Sequence, residues 1–407
     1  MMNNKLFIVL LILVGSTCVR STHDVPVLFK LFPSLEQHIA YLSLADLPTP
    51  IESAPTLAQL LHIKELYIKR DDLTGKVENG HRLFGGSKIR KLEFLLADAV
   101  AQHKKTVLTF GSFGSHHAFG TAFYAQRVGL KSIIMLKPQP ASSIVRRNLL
   151  LYGSCDTELN FYPTALRRYR GMRERCLEHY YYNHEMPYVI PTGGATPLGV
   201  LGYINAACEL KKQIDDNSIM LPDVMYVPMG SAGTIVGLLI GCALTGMDIE
   251  IVGVAVEPEE YDNFFITCIE HLYNKTVKFL QQYDQKFFDL DVYKTRWRCI
   301  FDESGVQYGL GTENAKNAIK MMYEHQGLIF DVVYSGKACA GLISDARKQI
   351  LTDKRVLLWS TFCSDDFSHL INKDMFIDRV IIKTLSDDID ELLDRSIPEE
   401  NRLNIFV

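Results

Sequence analysis

The chain has 407 residues, with 43 Lys and Arg against 47 Asp and Glu, a formal net charge of -4. Hydrophobic residues make up 47% and charged residues 22%, a globular composition that excludes a largely disordered chain. The near-neutral balance lacks the basic excess that a nucleic-acid partner needs, and the length calls for two domains or one two-lobed unit.

The longest purely apolar run spans residues 6–14. A bilayer takes about 20 apolar residues, so a multi-span membrane protein is excluded. The run follows Lys5 and precedes Gly15, Ser16, Thr17 and Cys18. A basic start, a short apolar stretch and small residues behind it read as a secretory signal over 1–22. The alternatives are a buried element of the domain or an uncleaved anchor, the one case in which integral membrane association is expected. With a signal the protein is exported, to the periplasm or the outside; without one it is cytoplasmic. Eight further cysteines, Cys155, Cys176, Cys208, Cys242, Cys268, Cys299, Cys339 and Cys363, permit disulfides after export. None forms CxxC and no Cys/His cluster has zinc spacing, so no metal site is expected. Cys208, Cys242 and Cys339 sit among Ala, Leu and Gly and read as small buried apolar residues. Asn274-Lys275-Thr276 is a glycosylation sequon, meaningful only in a eukaryotic secretory route.

Past residue 65 the chain alternates strand, turn and helix. Strands are predicted at 66–69, 106–110, 132–136, 188–191, 223–228, 250–256 and 355–360. Helices are predicted at 88–102, 116–127, 197–212, 234–244, 314–325 and 335–348, from apolar residues recurring at helical spacing. This order argues an α/β fold with parallel sheets, whose ligands bind beyond the carboxyl ends of the strands. Three glycine-bearing turns there draw attention.

The first turn is Gly85-Gly86-Ser87-Lys88, opening a helix. Its lysine faces either a pocket or solvent, with Ser87 then an ordinary N-cap. The second is Gly111-Ser112-Phe113-Gly114-Ser115-His116-His117. Adjacent histidines on a helix point apart, so a shared ligand for both is not expected. A hydrolase using Ser115 and His117 is conceivable, but no GxSxG elbow is present. The third joins Gly230, Ser231, Ala232, Gly233 and Thr234 between strand and helix. Its successive N–H groups and two hydroxyls suit a monophosphate, or the turn is only a packing device. It has neither a P-loop lysine nor GxGxxG spacing. A lysine, a polar turn and a monophosphate cradle at one end of α/β units together suit pyridoxal phosphate, whose aldehyde needs an amine.

The stretches 67–74 and 85–94 are where the chain resembles the D-cysteine desulfhydrase / 1-aminocyclopropane-1-carboxylate deaminase family, pyridoxal-phosphate enzymes of the tryptophan-synthase-β-like fold. Further matches at 187–191, Gly193-Gly194, 197–207, 230–234 and 331–343 extend the resemblance over about 45–360. It implies a two-lobed fold type II architecture. The large lobe would take 23–95 plus 205–370, with the small lobe 96–204 inserted; 371–407 is left as an extension of unknown role. Lys88 then matches the lysine that holds the cofactor, and 230–234 the phosphate loop. Ser115 matches a serine that contacts substrate, and Tyr308 a tyrosine beside it. His116 and Thr361 take positions next to the cofactor ring. The resemblance also implies a homodimer acting on a small amino acid. The expected reaction is β-elimination or deamination: D-cysteine to pyruvate, ammonia and sulfide, or 1-aminocyclopropane-1-carboxylate to 2-oxobutanoate and ammonia.

Four departures from the family pattern stand out. Ser87 replaces an asparagine, and His116 replaces the asparagine that bonds the ring hydroxyl. Gly311 replaces a proline, and Phe362-Cys363 replaces Gly-Gly. They keep open the alternative of a weakly active or inactive cofactor-binding pseudoenzyme.

Overall fold

The computed structural model of the chain describes residues 25–258, 262–291, 295–371 and 381–382. The signal reading of 1–22 lies outside the described residues, as does all of 371–407 except residue 371 and the pair 381–382.

In chain order the strands are β1 (Ile51–Ser53), β2 (Glu65–Arg70), β3 (Val77–Glu78), β4 (His81–Arg82), β5 (Thr106–Ser112), β6 (Lys131–Lys137), β7 (Thr157–Phe161), β8 (Tyr188–Ile190), β9 (Val224–Met229), β10 (Glu250–Ala255), β11 (Trp297–Ile300), β12 (Arg355–Ser360) and β13 (Ile381–Ile382). They form a six-stranded sheet in the order β1-β2-β12-β9-β10-β11 and a five-stranded sheet in the order β13-β7-β6-β5-β8. Every pair in both sheets is parallel except β1 with β2. Parallel strands covered on both faces read as apolar runs, and β9 (VMYVPM) and β12 (RVLLWS) show it. The pair β3–β4 is a short hairpin within 75–83.

Helix Pro197–Asp215 packs against both Gly233–Thr245 and Ile89–Ala101. Gly233–Thr245 (GTIVGLLIGCALT) is apolar all round and is buried over most of its length, as a helix without a polar face must be. Helix Pro197–Asp215 starts at Thr196, whose side chain accepts from the Gly199 N–H.

A fully buried ionic cluster joins these helices to the large sheet. Glu209 accepts from Lys69 Nζ at 2.5 Å and from both Arg90 Nη atoms at 3.0 Å. Asp71 accepts from Arg90 Nη2 at 2.7 Å and from the Tyr203 hydroxyl at 3.0 Å.

The predicted helices and strands stand at their places to within three residues at either end. The stretch between residues 137 and 187, in which no element is predicted, holds helix Ser143–Leu151, β7 and helix Ala165–Asn183. Helix Asp262–Leu280 and β11 are likewise absent from the reading of the sequence. The disulfides allowed for are not formed: all eight described cysteines are free thiols, and Cys208, Cys242 and Cys339 are buried. Asn274 lies on helix Asp262–Leu280 with its side chain exposed. Among the described residues no helix is long and apolar enough to cross a membrane.

Candidate active site

Strands β5, β9 and β12 all end at one cavity of about 590 Å³. Of the residues singled out in the sequence, Lys88, Ser115, His116, Gly230, Ser231, Ala232, Thr234, Tyr308 and Thr361 line it. Gly233 does not. It sits behind the loop, where a Cβ would stand 2.7 Å from Lys91 Nζ, and its N–H bonds back to Ser231 O at 2.9 Å.

Lys88 occupies the residue before helix Ile89–Ala101. Ser87 is therefore not the N-cap; it is buried, and its Oγ accepts from Lys88 Nζ at 3.0 Å. The amine lies 5.5 Å from the Tyr334 ring centroid. Burial lowers its pKa to about 8, with Asp331 pulling partly the other way. Asp331 is fixed by three backbone donors, the N–H groups of Val333, Tyr334 and Ser335, at 2.8–3.1 Å.

Ser115 caps helix His116–Arg127, its Oγ accepting from the Ala118 N–H at 3.2 Å. That bond uses one lone pair and leaves the hydroxyl proton free, and no hydrogen bond joins Ser115 to a histidine as a hydrolase would need.

Both histidines line the cavity, but they face different partners, as adjacent helical positions must. At the first turn of a helix the two side chains leave the axis on either side of the opening. His116 lies between Phe84 and Phe362, with ring centroids 5.3 and 5.0 Å away. Arg147 Nη2 is 3.2 Å from its Nε2. A guanidinium only donates, so Nε2 accepts and the neutral ring keeps its proton on Nδ1. Burial first, then Arg147 and Lys88, holds its pKa well below the usual value. His117 is buried, with Nε2 3.1 Å from Thr109 Oγ1. Thr109 gives its own proton to Ile190 O at 2.8 Å, so Nε2–H donates to the threonine. Burial, with Lys88 and Lys91, lowers the pKa of His117 to about 3.

The loop after β9 reaches helix Gly233–Thr245 through Ala232, which adopts φ +62°. Gly230, Ser231, Ala232 and Thr234 of this turn line the cavity, and the helix's first turn has no intrahelical acceptors for its own N–H groups. Gly193 packs against this loop at φ +68°, and a Cβ there would stand 2.1 Å from Ser231 Oγ. Lys91, one turn after Lys88, is buried beneath and donates to Gly193 O at 3.2 Å.

Tyr334 lies beside both Lys88 and Gly230, and its hydroxyl is 2.9 Å from that of Tyr308. Burial raises the pKa of Tyr308 to about 12 and holds that of Tyr334 well above the usual value, so both stay protonated. Thr361 Oγ1 faces Ser335 Oγ at 3.3 Å, and Thr361 O accepts from the Ser87 N–H at 3.2 Å. Tyr334, Ser335, Asp331, Lys91, Arg147 and Arg168 join the site without having been singled out. The first three lie in the matched stretch 331–343 and Lys91 in 85–94; the two arginines lie in the stretch where no element is predicted.

These residues fit pyridoxal phosphate. A cradle of backbone N–H groups that a Cβ on Gly193 would disrupt faces the same cavity as an amine with a lowered pKa. Lys88 would hold the aldehyde carbon, loop 230–234 the phosphate, and Thr361 with Ser335 would offer only hydroxyls to a ring atom.

Comparison with known proteins agrees. Residues 42–361 match the family described as pyridoxal-phosphate dependent enzyme. A D-cysteine desulfhydrase of Serratia proteamaculans is 32% identical over 333 residues, 80% of this chain and 95% of its own. A provisionally named 1-aminocyclopropane-1-carboxylate deaminase of Pyrococcus abyssi is 33% identical over 309 residues, 75% of this chain and 87% of its own. Among solved structures, an ACC deaminase homologue superposes with TM-score 0.69 at 30% identity, covering 86% of this chain and 99% of that one. A fungal L-serine ammonia-lyase from Rhizomucor miehei, at TM-score 0.54 and 15% identity, shares the fold. The chain thus belongs to the fold type II pyridoxal-phosphate-dependent enzymes, in the family of D-cysteine desulfhydrase and 1-aminocyclopropane-1-carboxylate deaminase.

Proposed function

We propose that the protein removes the β-substituent of a small amino acid, with D-cysteine converted to pyruvate, ammonia and sulfide. The observation that carries this reading is a base and an acid in one cavity: the Lys88 amine, and the protonated Tyr308–Tyr334 pair, whose Tyr334 ring lies beside that amine. Bound pyridoxal phosphate supplies the electron sink for the pair of electrons left at Cα.

The remaining work falls to the chain's own residues. Lys88, with a pKa near 8, is partly neutral at neutral pH and takes the Cα proton. Tyr308 donates toward the departing β-sulfur, and Tyr334 returns a proton to Tyr308 through their hydrogen bond. The Ser115 turn presents the N-terminus of helix His116–Arg127 to the α-carboxylate. His116, fixed by Arg147 with its proton on Nδ1, offers that donor to the ring hydroxyl in place of an amide.

The test is an absorbance scan followed by product assays. The purified protein is expected to show a visible band after addition of pyridoxal phosphate, and Lys88→Ala to abolish it. Pyruvate and sulfide should appear with D-cysteine and be near background with L-cysteine. A band with no product from D-cysteine, L-cysteine or 1-aminocyclopropane-1-carboxylate would instead make the chain a cofactor-binding pseudoenzyme. Product from the cyclopropane alone would move it to ring opening.

A further inference from the structure

Three cationic and two anionic side chains line the cavity: Lys88, Lys137 and Arg168 against Glu257 and Asp331. Asp331 acts on Lys88, and Lys137 acts on Glu257. Arg168 is left over. It projects from the first turn of helix Ala165–Asn183, donates through Nη1 to Gly111 O at 2.7 Å, and stacks 5.6 Å from the Phe110 ring centroid. Among the described residues it has no carboxylate partner, and burial alone acts on its pKa, lowering it.

The position of this guanidinium is informative. Gly111 closes against Ser115, where a Cβ on the glycine would stand 2.6 Å from Ser115 Cβ. Arg168 is therefore hydrogen-bonded to the backbone that backs the substrate-facing turn. The cofactor phosphate has its own cradle in loop 230–234, on another wall. The α-carboxylate has the N-terminus of helix His116–Arg127. A half-buried guanidinium with one carbonyl partner keeps several N–H donors in fork geometry for one more anion.

We propose that Arg168 is a specificity residue for a second negative charge on the substrate, so that the preferred amino acid carries an anionic β-substituent such as a sulfonate, sulfate or phosphate. The inference rests on the elimination reading for its chemistry. With a leaving β-substituent X, the Cα–H and Cβ–X bonds break, the proton passes to Lys88, and X departs with the bonding electrons. Addition of water then releases pyruvate, ammonium, X⁻ and a proton.

Two measurements on the holoenzyme test it, each with both enantiomers. In the first, calorimetric titration compares aspartate with alanine, neither of which has a leaving group. The wild type is expected to bind aspartate at least tenfold more tightly. Arg168→Met should bring the two within about threefold of each other, and Arg168→Lys should fall between. In the second, kcat/KM for serine O-sulfate is divided by that for β-chloroalanine, and Arg168→Met should lower this ratio at least tenfold. Equal binding of aspartate and alanine by the wild type overturns the proposal. So does an Arg168→Met variant that loses both ligands, or both substrates, in equal proportion, since Arg168 would then serve the α-carboxylate or the fold. Preference for aspartate without pyruvate from any substrate sustains Arg168 as an anion site and defeats the elimination reading instead.

Discussion

At the residue scale the site is a set of groups whose charge is decided by burial. Lys88 is the clearest case, because its amine must be neutral to receive the cofactor aldehyde and its pKa is lowered to about 8. In the apoprotein the rate at which the visible band grows after addition of pyridoxal phosphate is expected to rise with pH and level off above about 8. Asp331 pulls that pKa upward, so Asp331→Asn should move the profile to lower pH; an unshifted profile would show that the carboxylate does not act on Lys88. His117 makes a second prediction. Its folded pKa of about 3 lies below the ordinary 6.5, so between those values the unfolded chain binds the extra proton. Stability due to this group is therefore full above 6.5 and falls as pH drops toward 3, by about 1.4 kcal/mol per pH unit. Urea unfolding of His117→Gln should show a shallower acid dependence through that window. Much of this site was legible in the sequence, because Lys88, Ser115 and loop 230–234 sit at turns where glycine and small polar residues announce them. Arg147 and Arg168 were not, because each is the second of an adjacent arginine pair, a pattern that reads the same whether the side chain faces solvent or a cavity.

At the scale of elements, apolar runs and helical spacing exposed the inner strands of the large sheet. β7 escaped although most of it is buried, because Glu158 and Asn160 interrupt its apolar run; two other missed elements are covered on one side only. Helix Ala165–Asn183 buries just Gly171, Cys176 and His179, and its tyrosines and arginines show no apolar stripe. Strand β11 is an edge strand whose residues are all half-buried, so Arg298 sits beside Trp297 and Cys299 without alternation. Contacts between elements were beyond any pattern, and the one between Gly193 and Ser231 matters most. The turn at 192–194 and the loop after β9 come from different sheets and meet with no room for a Cβ. Gly193→Ala is expected to displace the loop and weaken pyridoxal phosphate binding at least tenfold. Adding Ser231→Gly removes the clashing side chain and should recover part of that loss. Equilibrium titration of the visible band measures both, and an unchanged dissociation constant in the single variant would mean that the loop tolerates the shift.

At the scale of the molecule, the cluster of Lys69, Asp71, Arg90 and Glu209 binds the helix that follows Lys88 to the rest of the fold. Arg90 is two residues beyond Lys88, Lys69 belongs to β2, and Glu209 belongs to the helix that spans the middle of the molecule. Burial pushes the Glu209 carboxyl up, but Arg90 and Lys69 outweigh it and hold its pKa at about 2. Replacing the whole cluster by apolar groups of the same shape could be neutral, because each ion was expensive to bury. Removing one partner is different, since the others stay buried without compensation, at a cost of about 3–5 kcal/mol. Glu209→Gln is thus expected to lower the unfolding free energy by that amount at neutral pH. The sign of the acid dependence follows from the depressed pKa. Stability from Glu209 is present above the ordinary 4.5 and is lost as pH falls toward about 2, so the variant should be less acid-sensitive than the wild type across that interval. Denaturant unfolding at neutral pH and at about pH 3 measures both arms. A loss at neutral pH with unaltered acid sensitivity would place the damage in packing and not in the ion cluster. The same change takes one of Arg90's two carboxylate partners and leaves it Asp71, so the start of the helix after Lys88 should be held less firmly, and the visible band of the folded variant should form more slowly than in the wild type.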